Sequence, residues 1–180
     1  MNIALIGSGK MGRMLESLCE KDDGLHVAGF VGRTGYASLA DMEQVDVALD
    51  FSYPGNLESL LACAVAKKIP LVIGTTGLSE EQGEAIRKAS GEIPIVWADN
   101  FSTGVTVLCR LARLAAQSLG DDFDIEIVET HHRMKEDAPS GTAKQLLAYM
   151  DPKHEHEIVY GREGRPGKRG HEIGVHAVRG

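Results

Sequence analysis

Residues 129–143, E-T-H-H-R-M-K-E-D-A-P-S-G-T-A, gather the side chains of this chain best suited to moving protons. His131 and His132 are adjacent imidazoles that exchange protons near neutral pH, and Lys135 adds a cation that can donate one. Pro139 cannot continue a preceding ladder. Ser140 is a good N-cap for the run Thr142, Ala143, Leu146, Leu147, Met150, whose spacing suits one buried helical face. The N–H groups of Gly141 and Thr142 at that helix start are free to receive a carboxylate or phosphate. By itself the segment reads equally well as a solvated loop, so its meaning depends on the elements that position it.

Those elements begin at the N-terminus. The apolar run 3–6 leads directly into Gly7-Ser8-Gly9-Lys10-Met11-Gly12, a G-x-G-x-x-G in the strand-to-helix context that gives the motif its meaning. Gly7 permits the tight turn, Gly9 the approach of a pyrophosphate to the helix start, and Gly12 the close packing of helix on strand. Met11, Met14, Leu15 and Leu18 are expected to mark one face of that helix, ending near Gly24. The second strand, 25–31, is followed by Gly32-Arg33 with no carboxylate before Asp41. Arg33 therefore tilts the cofactor slightly toward NADPH over NADH, and reads almost equally well as a solvated arginine. Residues 34–44 are too short for a full crossover helix. A third strand ends in Asp50-Phe51-Ser52, Asn56 can cap a helix through Val65, and 69–73 reads as a strand buried on both faces. Gly74-Thr75-Thr76-Gly77 follows it, Ser79 and Gln82 form a capping box, and 93–97 is the next strand.

A long helix from Ser102 or Thr103 is expected to bury Val105, Leu108, Leu111, Ala112, Ala115 and Leu119. At Phe123, Ile125 and Ile127 the pattern changes to alternation, which predicts a strand with one wetter face. The domain boundary is accordingly expected near residue 121, dividing the chain into 1–121 and 122–180. Runs 156–160 and 171–178 read as further strands around a Gly- and Arg-rich connector, 161–170, whose cations suit an anionic ligand or merely solubilise the loop.

Composition excludes several classes. The chain has 180 residues, 43% hydrophobic and 25% charged, with a formal net charge of -7, so neither a nucleic-acid surface nor a membrane span is expected. Three separated cysteines among apolar residues read as free thiols of a reducing, cytoplasmic setting. The seven histidines form no recognised zinc spacing, so no metal is expected.

Several strings resemble the 4-hydroxy-tetrahydrodipicolinate (dihydrodipicolinate) reductase family. They are the glycine loop through Arg13, Asp50-Phe51-Ser52-Tyr53-Pro54, Gly74-Thr75-Thr76-Gly77, Asn100-Phe101-Ser102-Thr103-Gly104, residues 131–143, Tyr160-Gly161-Arg162 and residues 173–180, in the family's order. The resemblance implies an α/β chain with a Rossmann-type dinucleotide-binding domain on a mostly parallel sheet. A smaller α+β substrate-binding domain, incomplete at its C-terminus, would follow. It implies NAD(P)H-dependent reduction of a dicarboxylate in lysine biosynthesis by a homotetramer. Gly7, Gly9, Lys10, Met11 and Gly12 would line the cofactor phosphates, Gly74, Thr75 and Thr76 the nicotinamide, with Asn100 and Phe101 closing the pocket. His131 would be the acid–base histidine, His132 its substrate-pocket partner and Lys135 the proton donor. Ser140, Gly141 and Thr142 would grip a carboxylate. Asp99 stands where the family commonly has proline. A semialdehyde dehydrogenase shares the first-domain logic, and a nucleotide-sensing regulator would keep the glycine loop, but neither gives a reason for the H-H-R-x-K and P-S-G-T strings.

Overall fold

The computed structural model describes residues 1–32 and 35–180, so Arg33 lies outside the described residues. Two compact units result, Met1–Asp99 and Asn100–Gly180.

In the first unit β1 (Asn2–Ile6), β2 (His26–Val31), β3 (Val47–Asp50), β4 (Leu71–Ile73) and β5 (Ile95–Trp97) form one parallel sheet in the order β2-β1-β3-β4-β5. The connecting helices are α1 (Lys10–Cys19), α2 (Leu57–Lys67) and α3 (Glu80–Ala89). Leu5, Leu71 and Ile73 are among the most deeply buried side chains, as strands covered on both faces require, and Leu57 of α2 is buried with them. The chain leaves β1 for β2 on one side and returns to β3 on the other. The C-terminal ends of these strands are therefore a switch point, where open α/β sheets bind ligands. The capping box at α3 forms as expected, Gln82 N donating to Ser79 Oγ at 3.3 Å and Ser79 N to Gln82 Oε1 at 3.0 Å. Asn56 does precede α2, but its amide turns to Ser52 Oγ. Regular pairing of β5 starts at Ile95 rather than Ile93, since Pro94 has no N–H for the ladder.

The expected apolar face of α1 is corrected. Met11, Met14 and Leu18 are exposed, and the helix ends at Cys19. Gly12 sets the packing: the helix lies so close to the preceding turn that a Cβ at Gly12 would strike the Gly7 carbonyl oxygen. Backbone proximity therefore fixes which face turns inward.

The second unit contains α4 (Thr103–Leu119), β6 (Ile125–His131), α5 (Gly141–Met150), β7 (Glu157–Tyr160) and β8 (Glu172–Arg179), the strands forming a parallel sheet ordered β6-β8-β7. Ile127, Ile173 and Val175 pack against Ala143, Leu146 and Leu147 of α5. The division at Asp99/Asn100, rather than near residue 121, follows from α4 packing on α5. The buried seam of α4 also differs from expectation. Cys109 is buried and Val105, Ala112 and Ala116 are partly so, while Leu108, Leu111 and Leu119 are exposed. Small side chains line the seam where leucine spacing suggested a greasy one.

Because β7 and β8 are parallel, the 161–170 connector must run back along the sheet rather than close a hairpin. Two of its arginines are held in ion pairs: Arg162 with Glu126 at 2.9 Å and Glu172 at 2.5 Å, and Arg169 with Glu126 and with Asp124 at 2.8 Å. Gly174 leaves the space the Glu126 carboxylate fills. These guanidiniums serve the fold, which removes two of the four cations, Arg162, Arg165, Lys168 and Arg169, offered for an anionic ligand.

After α5, buried Asp151 accepts from the N–H groups of Glu155 at 2.9 Å and His156 at 3.1 Å. Burial alone would raise its pKa, but these N–H groups and His156 outweigh it and hold the carboxyl below its usual 3.8. Its stabilisation is thus complete above that value and is lost as pH falls through the folded pKa. Asp151→Asn, which turns an amide donor toward a backbone donor, is expected to cost about 1.5–3 kcal/mol in urea unfolding at neutral pH. The difference from wild type should shrink on acidification.

Candidate active site

The alternation of β6 places Ile125, Ile127, Glu129 and His131 on one face. The isoleucines join the core against α5, and the stripe then turns polar. Glu129, only 11% exposed, accepts from Ser140 N through Oε1 at 2.8 Å. Its Oε2 takes the Ser140 hydroxyl and lies 2.9 Å from His131 Nε2. Burial pushes the Glu129 carboxyl up, but Ser140 and His131 together prevail and hold it below the ordinary glutamate value.

His132 leaves the strand and is exposed in a turn closed by Lys135 N donating to His132 O at 3.1 Å. The two imidazoles therefore have separate surroundings. Lys135 pairs with Asp137 at 2.5 Å, an interaction that lowers the Asp137 pKa. Arg179, outside the expected set of site residues, fastens this loop from the end of β8. Its Nε donates to Lys135 O at 3.0 Å and its Nη2 to Asp137 O at 2.8 Å, while Gly180 N donates to His131 O at 2.9 Å. No local pattern points to Arg179, because it reaches the loop across 44 residues of chain.

The start of α5 keeps its expected cap, Ser140 Oγ accepting from Ala143 N at 3.1 Å. The role expected of Ser140 itself changes, since its N–H and O–H both donate to Glu129 and neither is left for a ligand. The N–H groups of Gly141 and Thr142, in the first turn, make no hydrogen bond among the described residues. Asn100 donates to Thr142 Oγ1 at 3.2 Å and accepts from Ser102 N at 2.7 Å, so its side chain braces the second unit. Phe101 is about half exposed. One His–carboxylate group, Asp121, His156 and His171, brings three possible ligand atoms within 4.8 Å of one another. Its imidazoles stack with centroids 4.0 Å apart, so their in-plane lone pairs run side by side rather than toward one point.

In the first unit Gly7 adopts φ +96°, and its N–H donates to Val31 O at 2.9 Å, turning the chain sharply into α1. Gly9 is the N-cap of α1 and supplies no side-chain cap, and the first turn, which includes Lys10 and Met11, carries no acidic residue. A Cβ at Gly9 would meet no protein atom within 4 Å. Open space beside uncapped N–H groups fits a bound pyrophosphate. Nearby, a hollow of about 240 Å³ is lined by Ile6, Val31, Gly32, Ser38, Asn56 and Leu60. The 74–77 loop divides differently from expectation. Thr75 is buried, donating to Asp50 Oδ2 at 2.9 Å and accepting from Ser52 N at 2.9 Å, and Gly74 sits under the Phe51 ring, whereas Thr76 is exposed. Asp50 is fully buried, and its pKa is raised by desolvation against the opposing bonds from Ser52 and Thr75.

A parallel nucleotide-type sheet with a glycine loop at its switch point, followed by a unit carrying His131, His132 and Lys135 ahead of a helix start with free N–H groups, has the make-up of a two-domain nicotinamide-dependent oxidoreductase. Comparison with known proteins makes this particular. Residues 1–101 match the family described as dihydrodipicolinate reductase, N-terminus, and residues 104–180 its C-terminus. The chain belongs to the dihydrodipicolinate reductase family. It is 40% identical to the 4-hydroxy-tetrahydrodipicolinate reductase of Alkaliphilus oremlandii, with 100% of this chain and 76% of the relative covered. It is 44% identical to the enzyme of that name from Akkermansia muciniphila, with 96% and 72% covered. In fold it resembles a dipicolinate-bound dihydrodipicolinate reductase from Paenisporosarcina sp. TG-14, with TM-score 0.70, 22% identity, and 99% and 78% covered.

Proposed function

We propose that this chain reduces 4-hydroxy-tetrahydrodipicolinate to tetrahydrodipicolinate, with loss of water, in diaminopimelate and lysine biosynthesis. The observation that carries the reading is the start of α5, where the N–H groups of Gly141 and Thr142 are unpaired just beyond the Lys135 loop. Those donors and the helix dipole suit one carboxylate of a dianion. Bound NAD(P)H supplies the hydride. Lys135 gives up a proton as negative character develops on the substrate, a stabilisation larger in the transition state than in the ground state. His131 holds or relays a proton, and exposed His132 contacts the substrate.

The glycine loop 7–12 holds the cofactor phosphates. Arg33 and the absence of a carboxylate at the end of β2 favour NADPH, with NADH also accepted. A cytoplasmic homotetramer assembled through the second-unit sheet is in keeping with exposed Val128 and Val178 on its strands and with three free thiols. Among the described residues no helix is long and apolar enough to cross a membrane. The net charge of -7 favours a small-molecule partner over nucleic acid.

The test is oxidation of NADPH and NADH in parallel, with the condensation product of pyruvate and aspartate semialdehyde as substrate. Dicarboxylate-dependent oxidation with both, faster with NADPH, is expected. Absence of it with either cofactor would reject the assignment.

A further inference from the structure

We infer that Glu129 is the positioning residue of this site, fixing the proton-bearing nitrogen of His131 and tying that ring to the start of α5. The argument starts from donors and acceptors. The Glu129 carboxyl is held below its ordinary pKa, so at neutral pH it is ionised and can only accept. Its Oε1 takes the Ser140 N–H, and its Oε2 takes the Ser140 hydroxyl and faces His131 Nε2 at 2.9 Å. A carboxylate oxygen at that distance requires a hydrogen on Nε2. In the neutral ring Nδ1 is then the bare nitrogen, and it is the atom that takes up and returns a proton. The same carboxylate holds Ser140, whose hydroxyl caps α5 through Ala143 N at 3.1 Å. One buried side chain thus sets both the tautomer of the proton-handling ring and the location of the free Gly141 and Thr142 N–H groups. Glu129 need not touch substrate to do this, and its place two residues before His131 on β6 follows from strand alternation.

Glu129→Gln separates this role from simple packing. The Ser140 N–H demands an oxygen and keeps the Gln carbonyl in the Oε1 position. The new amide then lies where Oε2 was, presenting hydrogens to Ser140 Oγ and His131 Nε2. Nε2 must become an acceptor, and the ring proton moves to Nδ1.

Two-bond proton–nitrogen NMR of His131 reads this directly, at a pH where the imidazole is neutral. The expected result is the Nε2–H tautomer in wild type and the Nδ1–H tautomer in Glu129→Gln. An Nδ1–H tautomer in the wild-type protein overturns the inference without any variant, and so does a Glu129→Gln protein that keeps Nε2–H. The kinetic arm rests on the reductase reading above. There kcat should fall by about 10²-fold or more, with the KM for NADPH unchanged. Wild-type kcat in a tautomer-inverted variant would overturn the positioning role. If wild type itself shows no reductase activity, the proposed reaction fails while the NMR result still decides the role of Glu129.

Discussion

Replacing Lys135 by alanine is expected to lower kcat by about 10²–10⁴-fold, the range for loss of a positioned proton donor, while the KM for NADPH stays near its wild-type value. The partition follows from how the loop is held. Arg179 grips the carbonyls of Lys135 and Asp137, and Gly180 grips that of His131, so the backbone of the loop is fixed by groups the substitution leaves in place. What disappears is a largely buried ammonium that, among the described residues, is ion-paired with the more exposed Asp137. Steady-state kinetics with varied substrate and cofactor separates the terms. A variant with near-normal turnover would remove Lys135 from the chemistry, and a parallel rise in the cofactor KM would mean the loop had moved instead.

The site was legible in the sequence wherever chemistry is local. Ser140 as the cap of α5, the Ser79–Gln82 box and the glycine turn into α1 each rest on residues within a few positions of one another, and each forms as expected. What depended on distant partners was not legible. The family resemblance assigns Ser140 to a substrate carboxylate, yet Glu129, 11 residues earlier, takes both of its donors. Arg179 is invisible as a clamp until β8 is seen beside β6, where His131 and Arg179 share a register position. Periodicity misassigned the faces of α1 and α4 for a related reason. Apolar spacing tells which face could be buried, but approach distance selected small residues, Gly12 on α1 and Cys109 on α4, as the contact. Glu129 was within reach of sequence reasoning: continuing the Ile125, Ile127 alternation by one step places a carboxylate on the core face beside His131, and such a buried acid needs partners.

Gly12→Ala and Gly9→Ala, three residues apart in one loop, are expected to fail in different ways, and the contrast tests whether this loop holds a nucleotide. A Cβ at Gly12 would overlap the Gly7 carbonyl oxygen, a backbone atom that no rotamer change can move aside. The helix or the turn must shift, at an overpacking cost of about 1–3 kcal/mol. Denaturant unfolding should register that loss, and the displaced turn should weaken NADPH binding by about 10-fold or more, since about 1.4 kcal/mol corresponds to a factor of ten. At Gly9 the added methyl meets no protein atom within 4 Å, so the same measurements should find stability unchanged. It does, however, occupy the space beside the uncapped N–H groups of α1, where a pyrophosphate would lie. NADPH affinity, followed by nicotinamide fluorescence, should therefore fall in Gly9→Ala without any change in unfolding. If both variants bind NADPH as wild type does, the loop is only a turn. If Gly9→Ala loses stability along with affinity, the space beside it serves packing within the protein rather than a ligand.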